Sequence, residues 1–207
     1  MQIEPTVDDW RLARSIHKDF CKKAGSKHIA TPFALAHLSA LVREHPIQSV
    51  LEFGPGIGTI TSLLLKTLPN EINIVCTEKS GFCRREIQKN IPSTEKNRIF
   101  IHDHRDPEIH GQFDLVVFDG PPPSGADFLN LGSICFFEGN RKNTRQRVVA
   151  ALEARGLTCN FQRYVSYIRP IRWTWTRFNI PRPYIRLRSQ KGCWIGRVTT
   201  TANGCES

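Results

Sequence analysis

Apolar residues recur at helical spacing over 8–24 (DDWRLARSIHKDFCKKA), where Trp10, Ala13, Ile16 or His17, and Phe20 fall on one side and Gly25 supplies a stop. Thr31 and Pro32 form a helix start, a capping hydroxyl followed by proline at the first helical position. That helix is expected to reach about Glu44, with Phe33, Leu38, Leu41 and Val42 inward and Pro46 breaking it. From Gln48 the pattern changes to short apolar runs. SVLEF (49–53), INIVCTE (72–78), RIFIHD (98–103), FDLVVFD (113–119) and ICFFE (134–138) predict five buried strands. Helices are predicted between them at 59–68, from Ser80 to about Asn90, and at 140–155. Only 105–112 separates the third strand from the fourth, so the crossover helix there is short or missing. Beyond Gly156, 158–168 and 193–201 read as long strands with partial alternation. Strands alternating with helices imply right-handed crossovers and a parallel sheet, an α/β fold.

One domain is expected across 1–207, with N-terminal helices in 1–46, a core in 47–156 and closing strands in 157–207. Hydrophobic residues make up 40% and charged residues 23%, which gives enough apolar surface for a core and excludes a disordered chain. Unbroken apolar runs such as 115–118 and 134–137 are far shorter than the ~20 residues a spanning helix needs. The opening MQIEPTVDDW has neither a basic nor an apolar stretch, so no secretory signal is expected. Seven cysteines, an odd number without a Cys-x-x-Cys pair, point to reduced thiols in a cytoplasm rather than to disulfides or structural zinc.

The net charge of +10 is unevenly placed. Residues 1–153 carry 19 basic and 18 acidic side chains, whereas 154–205 carry ten basic and no acidic ones. A one-sign field of this kind attracts nucleic acid, phosphate esters, acidic lipid headgroups or an acidic partner. Much of it lies in a basic aromatic insertion, 169–191, which holds Trp173 and Trp175 two apart, on one face if the segment is a strand. Arginine interleaved with aromatics suits phosphorylated or nucleobase-containing ligands. The insertion is expected to fold over the fourth strand's end or to build an acceptor site beside it.

VLEFGPGIGT (50–59) carries the strongest chemical signal. A strand leads into Gly54, Gly56 and Gly58, and a helix follows at once. Glycines there let the backbone turn sharply and approach a ligand, with the helix amides pointing at it. A dinucleotide fingerprint would need glycine where Thr59 stands.

The spacing Glu52-x-Gly54-x-Gly56-x-Gly58 instead resembles motif I of the class I S-adenosylmethionine-dependent methyltransferases. The resemblance covers about 30–156 and extends to the strand-end acids Glu78, Asp103 and Asp119. It implies a single Rossmann-like methyltransferase domain: a mostly parallel seven-stranded sheet, an antiparallel closing strand and helices on both faces. It also implies S-adenosylmethionine as cofactor. Glu52 would lie near the cofactor's amino group, and Gly54, Pro55, Gly56 and Gly58 would form its cradle. Glu78, with Lys79, would hold the ribose hydroxyls. Asp103, with His104, would lie near the adenine amine, and Asp119 beside the methionine end and the transfer site. Independently of the resemblance, carboxylates suit a ligand bearing a sulfonium, an ammonium, ribose hydroxyls and an amine.

Methyl transfer requires alignment of the acceptor and removal of a proton, for which Asp119, His28 and His104 are the candidate groups. The leader HIATPFALAHLSALV (28–42) and FDLVVFDGPPP (113–123) look like small-molecule O-methyltransferases. A small acceptor, methylated at oxygen and carrying an anionic group, is therefore expected. Arg141 and Arg145, four apart on the predicted helix, would bind the anion together with Trp173 and Trp175. Asp119, Glu138 and Asn140 could hold a hard cation. That set departs from the family's metal pattern and is crowded by Arg141 and Lys142, so no metal is expected. RNA methylation through the basic segment, and a non-catalytic cofactor-binding scaffold, are the alternatives.

Overall fold

The computed structural model describes residues 2–103, 111–122, 125–165 and 192–201, and the backbone alone of 167–168, 171–175, 181–185 and 188–189. Helix α1 is Val7–Phe20. Thr6 caps it: the Asp9 amide donates to Thr6 Oγ1 at 3.3 Å and the Thr6 amide to Asp9 Oδ2 at 2.8 Å. Asp9 also accepts from Ser39 Oγ at 2.6 Å and from Arg43 Nη2 at 3.1 Å, which pins α1 to the second helix. The helix ends earlier than its apolar pattern, and Gly25 turns the chain at φ 86°. Helix α2, Pro32–Glu44, begins at the Thr31 cap. It is buried continuously from Ala34 to Val42 because it packs against α1, the helix after the first strand and the sheet.

The sheet strands are β1 (Val50–Phe53), β2 (Ile74–Thr77), β3 (Ile99–His102), β4 (Leu115–Phe118), β5 (Ile134–Glu138), β6 (Leu157–Tyr164) and β7 (Cys193–Thr200). Their order is β3-β2-β1-β4-β5-β7-β6. The first five are parallel, and β7 runs antiparallel to both β5 and β6. In register, Val50 faces Ile74 and Leu115, and Cys193 faces Glu138 and Tyr164. Helices α3 (Thr59–Thr67), α4 (Gly81–Asn90) and α5 (Lys142–Glu153) follow β1, β2 and β5. The chain order thus reverses between β1 and β4, the switch point where open parallel sheets bind ligands.

Alternate strand residues build two cores. Val50, Ile74, Leu115, Phe136 and Ile195 pack under α1, α2 and α3. On the other face, Phe53, Phe118, Phe128 and Phe137 pack with Val148 and Leu152 of α5. Phe118 and Phe137 stack with ring centroids 4.2 Å apart. Helices therefore cover both faces, and the sheet has the expected seven strands and antiparallel closing strand. Between β3 and β4 no helix occurs among the described residues.

Arg98, expected in the third strand, instead ends a 3₁₀ turn, Ser93–Arg98, and is buried. Its guanidinium donates to the carbonyls of Ile72 at 3.2 Å, Leu65 at 3.2 Å and Pro69 at 2.6 Å, closing the end of α3. Within the insertion, Ile171–Trp175 and Pro181–Ile185 pair as an antiparallel ribbon. No helix among the described residues is long and apolar enough to cross a membrane.

Candidate active site

The glycine turn sits at the carboxyl end of β1. Gly54, Gly56 and Gly58 all have positive φ, at 75°, 57° and 93°. Their surroundings differ. A Cβ on Gly54 would stand 2.7 Å from the Gly120 backbone, so this glycine lets the ends of β1 and β4 meet. A Cβ on Gly58 would stand 2.8 Å from the Ile87 side chain of α4. A Cβ on Gly56 would meet nothing within 4 Å. Two of the three glycines are thus required by packing, and the middle one opens onto empty space.

Glu78 braces that opening. It is buried; its Oε2 accepts from the Gly56 amide at 3.1 Å and its Oε1 from the Ser80 amide at 2.8 Å. Asn90 of α4 donates to the Ile57 carbonyl at 3.0 Å, holding the turn from behind.

Two cavities flank the turn and meet at Asp119. One, about 210 Å³, is lined by Gly54, Thr77, Glu78, Lys79, Asp119 and Arg141. The other, about 200 Å³, lies against the α1–α2 connection and is lined by His28, Pro55, Gly56, Thr59, Phe82 and Asp119, among others. Thr77, on the wall of the first, and Thr59, on the wall of the second, each have a buried hydroxyl without a hydrogen-bond partner among the described residues. Thr59 is the first residue of α3, where amides point outward unpaired. Arg141 ion-pairs with Asp119 and anchors its Nε on the Glu138 carbonyl at 3.2 Å.

The sequence-predicted residues divide accordingly. Gly54, Pro55, Gly56, Glu78, Lys79, Asp119, His28 and Arg141 line this double cavity. Gly58 shapes the turn from below. Glu52 lines neither cavity. It lies in the core, where it accepts from Thr61 Oγ1 at 2.7 Å and leaves Oε1 unpartnered among the described residues. Burial pushes its carboxyl up to about 8, so it is largely protonated at neutral pH. Asp103 is exposed and ion-pairs with Arg84 of α4 at 2.8 Å; it lines neither cavity.

Arg141 and Arg145 do not form the expected pair. The helix begins at Lys142, so Arg141 lies outside it and turns to Asp119, while Arg145 packs over Trp194. His104 and the side chains of Trp173 and Trp175 lie outside the described residues, as does the placement of the insertion over Asp119. Thr59, Thr77 and Phe82 were not anticipated. The two threonines sit at a helix start and a strand end beside the predicted motif, a positional signal that does not reveal a missing partner. Among the described residues no group of three histidine, cysteine or acidic side chains could hold a metal ion.

No family model matches the chain, and no curated protein matches it either. Solved structures do. An S-adenosylmethionine-dependent O-methyltransferase from Thermotoga maritima has a TM-score of 0.63 at 16% identity, over 93% of this chain and 72% of its own. The O-methyltransferase of tomaymycin synthesis from Streptomyces achromogenes, solved with S-adenosylmethionine, has a TM-score of 0.55 at 14% identity, over 96% and 92%. A tRNA methyltransferase from Aquifex aeolicus has a TM-score of 0.56 at 16% identity, over 90% and 76%. The strand order, the antiparallel closing strand and these likenesses together show that the chain has the Rossmann-like fold of the S-adenosylmethionine-dependent methyltransferases.

Proposed function

We propose that the chain is a methyltransferase that binds S-adenosylmethionine across the glycine turn. The observation that carries this reading is the open side of Gly56, set between Glu78 and Asp119 and beside Thr59 and Thr77, whose buried hydroxyls have no partner among the described residues. Unpartnered buried polar groups are costly, so a ligand that supplies their hydrogen bonds is favoured. The lining fits this cofactor: Glu78 and Lys79 for the ribose, and Thr59, Asp119 and the turn's amides for the methionine end, whereas Asp103 lies outside both cavities and His104 outside the described residues. Glu52 supports the turn from the core as a neutral acid. The cofactor, when bound, supplies an electrophilic methyl group.

This chain's own residues then hold the acceptor and its proton. Asp119, shared by the two cavities, and His28, on the wall of the second, are the proposed proton acceptors, with His104 a third. Arg141 holds Asp119 in place through their ion pair, and it offers its remaining donors to an anionic group on the acceptor. We therefore favour a small anionic acceptor methylated at oxygen, in a cytoplasmic setting. A second reading, RNA as acceptor, is supported by the ten uncompensated basic residues of 154–205. The test is transfer of a labelled methyl group from S-adenosylmethionine to a pool of small carboxylated or phosphorylated alcohols and to total RNA. Small-molecule labelling that falls by about 10²-fold in Asp119→Asn is expected. Labelling of RNA alone would replace the first reading with the second, and labelling of neither would leave a binding scaffold.

A further inference from the structure

A second group of cations lies on α5, outside the Asp119 cleft. Arg145 is only 8% exposed, and its guanidinium sits over the Trp194 indole, 3.7 Å from the ring centroid. Arg163 stands over the same ring at 5.5 Å. The arrangement follows from the sheet: Trp194 of β7 pairs with Arg163 of β6 and Phe137 of β5, and α5 covers that face. Two like charges therefore share one indole. Arg145 Nη1 is buried and has no hydrogen-bond partner among the described residues. No ion pair forms at Lys142, Arg145 or Arg163 among those residues either.

Burial, and then the charge of Arg163, lower the pKa of Arg145. A guanidinium does not give up its proton in a protein, so the cost stays as uncompensated charge. An open groove of about 370 Å³ runs beside it, lined by Lys142, Arg145, Gln146, Val149, Glu153 and Phe161 among others. Glu153, its one acid, lies two helical turns beyond Arg145, about 12 Å along the axis. The end of the groove at Lys142 also receives the positive end of the α5 dipole.

We propose that Lys142, Gln146 and Arg145, the last seated on the Trp194 indole, form a phosphate-binding site separate from the glycine-turn cleft. Phosphate fits because it accepts several donors at once and offsets two neighbouring cations. The Arg145 amide donates to the carbonyl of Arg141, just before the helix, at 2.9 Å. A ligand held here by its phosphate therefore reaches the Asp119 cleft. The phosphate belongs either to a small ester or to an RNA backbone. The site itself rests on α5 and β7 and does not depend on the methyl-transfer reading.

The test uses the full chain in calorimetric titrations with inorganic phosphate, glycerol 3-phosphate and a short oligouridylate. Binding is expected to weaken about tenfold in Arg145→Gln and about threefold in Lys142→Gln, with far-ultraviolet circular dichroism and S-adenosylmethionine affinity unchanged. Oligouridylate binding whose salt dependence is shallower in Lys142→Gln assigns the phosphate to RNA. Equal affinity for all three probes assigns it to a small ester. Failure of every probe to bind, or unchanged affinity in both variants, overturns the proposal. Should Arg145→Gln not fold, Lys142→Gln, at an exposed position, decides alone: unchanged affinity overturns the site and weakened affinity upholds it. A chain that binds phosphate but not S-adenosylmethionine refutes the methyl-transfer reading and leaves this site standing.

Discussion

Replacing Glu52 by glutamine removes one titration from the centre of the molecule. The carboxyl is wholly buried, and burial, reinforced by the charges of Asp119 and Glu78 and opposed by the Thr61 hydrogen bond, pushes its pKa from 4.5 to about 8. Between those values the folded chain holds a proton that the unfolded chain has released. Stability therefore falls as pH rises through this window, by about 1.4 kcal/mol per pH unit, and levels off above the folded value. From about pH 5.5 to about pH 8 the loss from this one group is about 3 kcal/mol. His37 works in the opposite direction below its ordinary 6.5, because burial lowers its pKa and it must lose a proton to fold. The difference between wild type and Glu52→Gln cancels that contribution and any constant cost of the amide. Urea unfolding followed by circular dichroism across this range measures it. The stability of the wild type relative to the variant is expected to drop by about 3 kcal/mol from the acid end to the alkaline end. Parallel curves would refute the reasoning and place an ionised carboxylate in the core.

Arg98→Met removes the guanidinium from the buried carbonyls of Leu65 and Ile72, leaves Pro69 only the Ile72 amide, and is expected to cost about 3 kcal/mol, read by thermal unfolding. Gly54→Ala should cost about 3 kcal/mol or prevent folding, because φ is 75° and the new methyl meets the Gly120 backbone. Gly56→Ala, at φ 57° and with open space around it, should cost about 1 kcal/mol in the same assay. Burial tends to raise the pKa of Asp9, but the hydrogen bonds from Ser39, Thr6 and Arg43 outweigh it and the pKa is lowered. Asp9 thus contributes stability above its ordinary 3.8 that is lost as pH falls through the folded value. Asp9→Asn should flatten that acid limb of the unfolding curve.

The elements were legible in the chain because each carries a local signal. Thr31-Pro32 starts a helix whatever surrounds it, and a run such as ICFFE has few alternatives to a buried strand. What escaped depends on partners distant in sequence. The glycine pattern marks a turn, but only the meeting with Gly120 and Ile87 distinguishes the two packing glycines from the one that faces open space. Arg98 reads as the edge of a strand, since its role is set by the carbonyls at the end of α3. Arg141 and Arg145 parted because the helix starts one residue later than their shared spacing requires. Thr59 and Thr77 are ordinary threonines in the sequence, and only the folded chain shows that their hydroxyls lack partners among the described residues.

Calorimetric titration of the chain with S-adenosylmethionine, alongside Gly56→Arg, tests the central claim most directly. The arginine enters empty space, so the variant should fold, at the same cost of about 1 kcal/mol that φ 57° imposes on Gly56→Ala, while its side chain fills the cleft. Saturable binding by the wild type, abolished in a folded Gly56→Arg, is the result this account predicts. No binding by the wild type, or equal binding by the folded variant, would contradict it.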